Sequence, residues 1–404
     1  MADIGEAVRV DGPDESGGNG TGTSPPEPYR TWSEPDRRPG QKQMTLNRVL
    51  MIADVLAHGG AERQLALLAS SILGQVSVRV ITMSDGPYRQ VLENAGVAVV
   101  VTPRTCRFDV RPAVAVWRAV RDWRPSVVHS WGLISTAAAL PACRRWRVPL
   151  VEGSIRVGWR QPRRGRILRF LAGRADAVVA NSNAGLRAFG FDHDRRGHVV
   201  YNGFDKSRLL GLDVVRGTEN RVGVVMAARM RPVKDFSLLL QAATVLGEAE
   251  PDRWRFILAG SGSERERLLA QARRVRGCVL EFPETGLEVL PAVASADIGV
   301  LLTAPDFGAE GCSNTIQEYM ALGLPVVCSD GGGNREIVED GISGIVIPPA
   351  DVDALVRALR SLGSDADLRA RLGNAGREFA DSRFSVERYV EDFLTIYREV
   401  SIGD

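Results

Sequence analysis

The stretch "LNRVLMIADVLAHGGAERQLALLASSIL", residues 46–73, has the pattern of a strand, a glycine turn and a helix. Its first apolar run is short enough for a buried strand, and after Gly59 and Gly60 the residues Leu65 and Leu68 begin a helical spacing of apolar side chains. A glycine pair before a helix lets a ligand approach the backbone closely, although a tight turn alone also explains the pair. The stretch therefore predicts one βα unit.

The same alternation continues along the chain in two series. The first series adds the runs VSVRVITM, VAVVVTP, SVVHSWG, PLVEGSI, ADAVVANS and HVVYNG, and the second contains VGVVMAAR, WRFILAGSG, CVLEF, DIGVLLT, PVVCSD and GIVIPPAD. Repeated units of this kind predict parallel sheets with helices on both faces. Because the polar connection FDKSRLLGLDVVRGTENR separates the series, we predict an α/β chain with two doubly wound domains that face a central cleft.

The predicted division of the chain follows from these runs. We place the first domain at residues 44–208 and the second at residues 209–384. The closing helical segment, about residues 385–404, adds no strand and is expected to pack back onto the first domain. Residues 1–43 are rich in Gly, Pro, Ser, Thr and acids, a composition that predicts a disordered tail.

Composition excludes several classes of protein. The net charge is +2, so no field of the whole molecule favours nucleic acid. The five cysteines show no CxxC or Cys/His spacing, which argues against a disulfide framework or a zinc site and fits a reducing cytoplasm. No apolar stretch reaches the roughly 18 residues that a membrane span requires, and no signal pattern is seen at the N-terminus. We therefore expect a cytoplasmic protein.

One segment departs from this even charge. Residues 144–169 contain nine Arg and the single acid Glu152, and Trp146, Trp159 and Phe170 lie among the arginines. Such a segment could rest on the inner face of the cytoplasmic membrane or bind a lipid diphosphate. A solvated face in an arginine-rich protein explains it equally well.

The run "EGCSNTIQE" places Glu310 and Glu318 around the predicted start of a helix. Ser313 is the expected N-cap, Glu310 precedes the helix, and Glu318 lies inside it. The first backbone N–H groups of such a helix have no partner within it and suit an anion. They belong to Asn314, Thr315 and Ile316. The alternative is that Ser313 merely caps a helix whose Glu318 lies near its favourable end.

Further polar residues follow other predicted strands. Arg229 and Lys234 come after one strand, where two cations could reach a diphosphate; the chain has only two other lysines, and a solvated charge is the alternative. Gly260 lies in a glycine turn that could flank a nucleotide, although a structural turn explains it as well. His129 ends a strand and is expected to face the cleft, where it could contact a sugar hydroxyl; a packed histidine is the alternative. The acid pairs DHD and DVD lack further ligands, so we expect no metal.

Taken together, these stretches resemble the family 4 glycosyltransferases, retaining enzymes with the GT-B fold. The resemblance runs from about residue 46 to the C-terminus and rests on the order of many motifs. They include GGAERQLALLA, VVYNGFD, MAARMRPVKDFSLLLQAA, FILAGSGSERERL, ADIGVLL and EGCSNTIQEYMALGLPVVCSDGGGNREIV. Glu310 and Glu318 have the spacing of the family's Glu-x7-Glu motif.

The resemblance implies a role for each site residue. Arg229 and Lys234 are expected to bind the diphosphate of a nucleotide sugar, together with the Gly60 turn and the helix start at residues 313–316. Glu318 is expected to hold the ribose and Glu310 to contact the transferred sugar. The family implies an acceptor-side first domain and a donor-binding second domain.

The implied activity is transfer of a hexose from a UDP- or GDP-sugar to a glycan or lipid-linked acceptor in cell-surface or exported polysaccharide assembly. No cofactor or metal is implied. Two departures stand out: Trp131 occupies a place where many relatives have a second histidine and could stack on an acceptor, and EFPET replaces the usual turn near the base. A catalytically silent nucleotide-sugar-binding protein on the same fold, or a nucleotide-sugar epimerase, are the alternatives.

Overall fold

The computed structural model describes residues 46–106, 109–156, 162–214 and 221–401. The predicted disordered tail and Trp159 lie outside the described residues. Two parallel sheets dominate this part of the chain.

The first sheet has seven parallel strands in the order β3-β2-β1-β4-β5-β6-β7. Its strands are β1 Arg48–Ala53, β2 Ser77–Thr82, β3 Ala98–Val101, β4 Val127–Ser130, β5 Leu150–Ile155, β6 Ala177–Ala180 and β7 Gly197–Val199. The order reverses between β1 and β4, where Met51 lies beside His129 in register. Such a reversal leaves a crevice beyond the carboxyl ends of the two strands.

The second sheet has six parallel strands in the order β10-β9-β8-β11-β12-β13. Its strands are β8 Val222–Ala227, β9 Trp254–Ala259, β10 Val279–Glu281, β11 Ile298–Leu301, β12 Val326–Ser329 and β13 Gly344–Ile347. Here the order reverses between β8 and β11. The predicted fold class, two doubly wound α/β sheets, is confirmed.

Helices cover both sheets because each connection between parallel strands must cross a face. In the first half they are α1 Gly60–Ile72, α2 Pro87–Asn94, α3 Arg111–Trp123, α4 Leu133–Trp146, α5 Pro162–Ala172 and α6 Asn183–Phe189, followed by a 3₁₀ helix Lys206–Leu209. In the second they are α7 Phe236–Ala249, α8 Arg265–Ala272, α9 Leu290–Ala294, α10 Asn314–Ala321, α11 Asn334–Ile337, α12 Val352–Ser364, α13 Ala366–Arg383 and α14 Val386–Ser401.

The last helix, α14, belongs spatially to the first sheet. It contacts α1 and β4, and its apolar side chains Tyr389, Phe393 and Tyr397 join the core that includes Val49 and Leu68. The chain therefore returns to its first half after completing the second sheet.

Candidate functional site

The two halves of the chain meet where α1 and α10 begin. The side chain of Asn314 donates a hydrogen bond from Nδ2 to the carbonyl of Gly60, 3.2 Å away. A Cβ on Gly60 would lie 2.8 Å from the same nitrogen, and a Cβ on Gly59 would lie 2.1 Å from a carboxylate oxygen of Glu62. A side chain at Gly60 would displace the Asn314 amide, so the predicted turn is a point of close contact between the halves.

Helix α10 begins after Ser313, as predicted. The Ser313 side chain makes no capping bond, whereas the Thr315 hydroxyl donates to the carbonyl of Ala227, 2.9 Å away. Ile316 is buried. Within the described residues, the first three backbone N–H groups of α10 have no hydrogen-bond partner, so this helix start can accept an anion.

Lys234 and Glu310 form an ion pair at the reversal point of the second sheet. Lys234 follows β8, Glu310 follows β11, and the lysine Nζ lies 2.5 Å from Oε1 of Glu310. Their side chains are only 15% and 14% exposed. The lysine is fixed by its backbone, because Asp235 beside it caps α7 by accepting from the Leu238 N–H. The pair brings the predicted phosphate-binding cation and the predicted sugar-facing acid together.

A glycine turn holds the Glu310 backbone. The N–H of Gly333 donates to the Glu310 carbonyl at 2.8 Å. Gly332 has φ +57°, and a Cβ there would lie 2.0 Å from the same carbonyl oxygen. Gly311 is equally tight, since its Cβ would lie 2.2 Å from the carbonyl of Arg156. Sequence reasoning missed this support, although the run GGGN was a visible signal.

Arg229 lies directly beyond β8, as predicted, and is exposed. No hydrogen bond or ion pair of its side chain is seen in the described part of the chain. Partial burial and the positive charge of Arg231 lower the pKa of Arg229, and Glu62 opposes this from α1. Burial raises the pKa of Glu62 although Arg156, Arg229 and Arg231 all act to lower it. The cleft thus holds two further arginines and an acid that sequence reasoning did not assign.

Glu318 is buried in α10 and accepts from two arginines. Arg63 of α1 and Arg208 of the 3₁₀ helix both bond to its Oε1, the latter at 2.9 Å. Burial acts to lower the pKa of Arg63, but the charges and hydrogen bonds of Glu318 and Tyr88 together outweigh burial, and the pKa is raised. Sequence reasoning placed Glu318 in the site and missed both arginines, which lie 255 and 110 residues away along the chain.

Gly260 lies in a turn whose backbone conformation favours glycine. It has φ +134°, and a Cβ would lie 2.2 Å from the carbonyl of Ala228. Its N–H donates to the Pro283 carbonyl, 3.1 Å away. The glycine therefore packs against Ala228, the residue that precedes Arg229.

The structure corrects the placement of His129. The side chain is 0% exposed, its Nδ1 lies 2.6 Å from the Tyr397 hydroxyl of α14, and its ring packs against Trp131 and Phe393. Burial and the nearby charge of Arg156 hold the pKa of His129 well below 6.5. Because α14 covers the strand end, His129 lies in the core and does not face the cleft. Trp131 is also buried, at 8% exposure.

Across residues 46–401, gaps aside, no group of three or more His, Cys, Asp or Glu is arranged to hold a metal ion. In the same part of the chain, no helix has the length and apolar character needed to cross a bilayer.

Two family models match the chain. The model described as "Glycosyltransferase Family 4" matches residues 58–208, and the one described as "Glycosyl transferases group 1" matches residues 215–379. Together they cover twelve of the thirteen strands, all but β1, and they include Lys234, Glu310 and Glu318.

Curated relatives agree with these models. The chain is 30% identical over 307 residues to a D-inositol 3-phosphate glycosyltransferase of Geodermatophilus obscurus, covering 67% of this chain and 66% of that protein. It is 28% identical over 311 residues to the protein of the same name from Salinispora tropica, covering 68% and 64%. The match thus spans slightly less than two thirds of these relatives' length.

Solved structures share the fold. The crystal structure of Anabaena Alr3699/HepE in complex with UDP-glucose aligns with a TM-score of 0.74 at 21% sequence identity, covering 86% of this chain and 98% of that one. At this identity the likeness concerns the fold alone.

Proposed function

The chain belongs to the family 4 glycosyltransferases, and on that premise we propose that it transfers a hexose from a UDP- or GDP-sugar to a glycan or lipid-linked acceptor with retention of anomeric configuration. The observation that carries the proposal is the Lys234–Glu310 pair beside the open start of α10. Cell-surface or exported polysaccharide assembly at the cytoplasmic side of the membrane is the proposed setting.

The charges of the site fit this chemistry. A nucleoside diphosphate gains negative charge as it departs, and Lys234, Arg229 and the N–H groups of α10 can stabilise that charge. Once a phosphate oxygen shares Lys234, the Glu310 carboxylate is available to the sugar, where it can contact hydroxyls and tolerate an oxocarbenium-like ring. In this proposal no group other than the chain and the donor takes part, and we expect EDTA to leave the rate unchanged.

The donor is the part of the proposal that needs a direct screen. Relatives named for sugar transfer and a fold neighbour crystallised with UDP-glucose support a nucleotide sugar. We propose measuring thermal stabilisation by UDP and GDP sugars, followed by release of nucleoside diphosphate from each donor that stabilises the protein. Release with a donor supports the transferase, whereas tight binding without turnover, even hydrolytic, would establish the silent binding protein instead.

A membrane contact through the basic segment is a second, separate proposal. Helix α5 exposes Ile167 at 51% and Phe170 at 58%, and Arg163 and Arg166 on the same helix are exposed. Apolar side chains flanked by cations suit an anionic bilayer surface. Flotation with vesicles of phosphatidylglycerol and phosphatidylcholine should recover the protein, and the double variant Arg163→Gln/Arg166→Gln should recover less. Equal recovery of both proteins would refute the contact.

A further inference from the structure

The Glu318 carboxylate is held on one side only. Arg63 and Arg208 both donate to Oε1, and among the described residues no donor reaches Oε2. The side chain is 2% exposed. A carboxylate so buried needs compensating partners, and two guanidinium groups on one oxygen fix the carboxylate plane while leaving the second oxygen available.

Arg63 reaches Glu318 from the other half of the chain. It lies in the first turn of α1, and its Nε donates to the Tyr88 hydroxyl of α2 at 3.1 Å. Its Nη1 donates to Glu318, and its Nη2 donates to the Leu287 carbonyl at 2.9 Å. All three nitrogens are therefore used, two of them on the second half.

Arg208 reaches Glu318 from the segment that connects the two sheets. Its Nη2 lies 2.7 Å from Oε1 of Glu288 and 2.9 Å from Oε1 of Glu318. Glu288 in turn accepts from the N–H of Leu290 at the start of α9, 3.0 Å away. The guanidinium is thus fixed by one acid while it holds the other.

From this geometry we infer that Arg63 and Arg208 are positioning residues that orient Glu318 so that Oε2 accepts a hydrogen bond from the donor's ribose. The inference rests on the proposed function. It adds that ribose recognition by the second half depends on a cation supplied by the first half. Separation of the halves at the cleft would release Arg63 and leave Glu318 without one of its two restraints.

The test compares a ribonucleotide with its 2′-deoxy form. Loss of positive charge from the cleft weakens both ligands alike, whereas loss of Glu318 orientation weakens only the one with the hydroxyl. The affinity ratio is therefore the readout that a general charge or folding role does not change. Isothermal titration calorimetry with UDP and 2′-deoxy-UDP, and with GDP and 2′-deoxy-GDP, gives the ratio for either base.

Four variants define the outcome. Arg63→Met and Arg208→Met each leave Glu318 one guanidinium, and Arg63→Lys retains the charge without the fork. Arg255→Met is the matched control. Arg255 lies on β9, its side chain is 18% exposed, and it bonds Glu281 of the neighbouring strand β10 at 2.7 Å. Thermal unfolding of each variant establishes that it is folded.

We expect the wild type to prefer the ribonucleotide by about tenfold to a hundredfold, the worth of a hydrogen bond to a charged group. In each Met variant the ribonucleotide should bind at most about threefold more tightly than its deoxy form. Arg63→Lys should retain part of the wild-type preference, and Arg255→Met should retain all of it.

Three results would contradict this expectation in different ways. A ratio unchanged in the Met variants overturns the inference and leaves the proposed function intact. A wild type that binds a ribonucleotide no better than its deoxy form also overturns the inference alone. A wild type that binds neither UDP nor GDP overturns the proposed function, and the inference with it.

Discussion

At the scale of single residues, the Lys234–Glu310 pair decides how the site meets its substrate. Each side chain is mostly buried and neutralises the other across 2.5 Å. An unpaired ammonium or carboxylate buried to this extent would raise the free energy of the folded protein, so the ion pair stabilises the site before the donor binds. A diphosphate carries enough charge to replace Glu310 as the partner of Lys234. Lys234 would then bind the donor instead of the acid.

We expect Lys234→Met to lower kcat/KM for the donor by about 10²- to 10³-fold, the usual cost of removing one group that stabilises the developing charge. Lys206→Met is the control, because Lys206 pairs with Asp381 at 2.8 Å on the surface with more than half of its side chain exposed. Steady-state release of nucleoside diphosphate measures both. Equal losses in the two variants would refute a specific role for Lys234.

The buried His129 predicts an effect on stability instead of turnover. His129→Phe removes the bond to Tyr397 and should lower the free energy of unfolding at pH 7.5 by about 1–3 kcal/mol while turnover stays within about twofold. Because the pKa of His129 is depressed in the folded state, its contribution to stability is present above the unfolded pKa of 6.5 and is lost as pH falls.

The pH dependence gives the second readout for this variant. Between pH 6.5 and 5.5 the wild type should lose about 1 kcal/mol more than His129→Phe, as urea unfolding at each pH would show. A large loss of turnover with unchanged stability would mean that His129 does act in the cleft.

Residue-level prediction from sequence succeeded where neighbours along the chain fix a side chain's place. Lys234 and Glu310 each lie in the loop that follows a strand, β8 and β11, so their common edge followed from the order of strands. The burial of His129 is decided by Tyr397, 268 residues later. No local pattern contains that contact.

At the scale of elements, α10 and the glycine turn after β12 act together. The predicted helix is confirmed: α10 runs from Asn314 to Ala321, and Gly323 follows with φ +67°. Helix start and stop signals such as these are local in the sequence. The packing of Gly332 on Glu310 was not predictable, since it joins two loops separated by a helix and a strand.

We expect Gly332→Ala to displace the Glu310 loop, since its Cβ would overlap the Glu310 carbonyl. Turnover should fall at least tenfold, because misplacement of a catalytic group by about 1 Å can cost about 10²-fold. Gly341→Ala separates the clash from backbone strain: Gly341 has φ +75° but nothing within 4 Å of the added Cβ. That control should lose about 1 kcal/mol of stability and retain its rate. Normal turnover in Gly332→Ala would contradict the account of the turn.

At the scale of the whole molecule, two parallel sheets of the same kind meet where α1 and α10 begin. The alternation of βα units was enough to predict this fold, because parallel strands have few ways to connect. The same alternation could not predict which residues would cross the cleft. Arg63, Arg208 and Asn314 do so, and each contact joins segments more than a hundred residues apart.

The central claim is that Glu310 and Glu318 have separate roles in one donor site. Its most direct test is a parallel determination of kcat and donor KM for Glu310→Ala and Glu318→Ala against the wild type. We predict that Glu310→Ala lowers kcat by about 10²-fold with donor KM within about threefold, whereas Glu318→Ala raises donor KM by about tenfold to a hundredfold. Wild-type values of both constants in both variants would contradict the account.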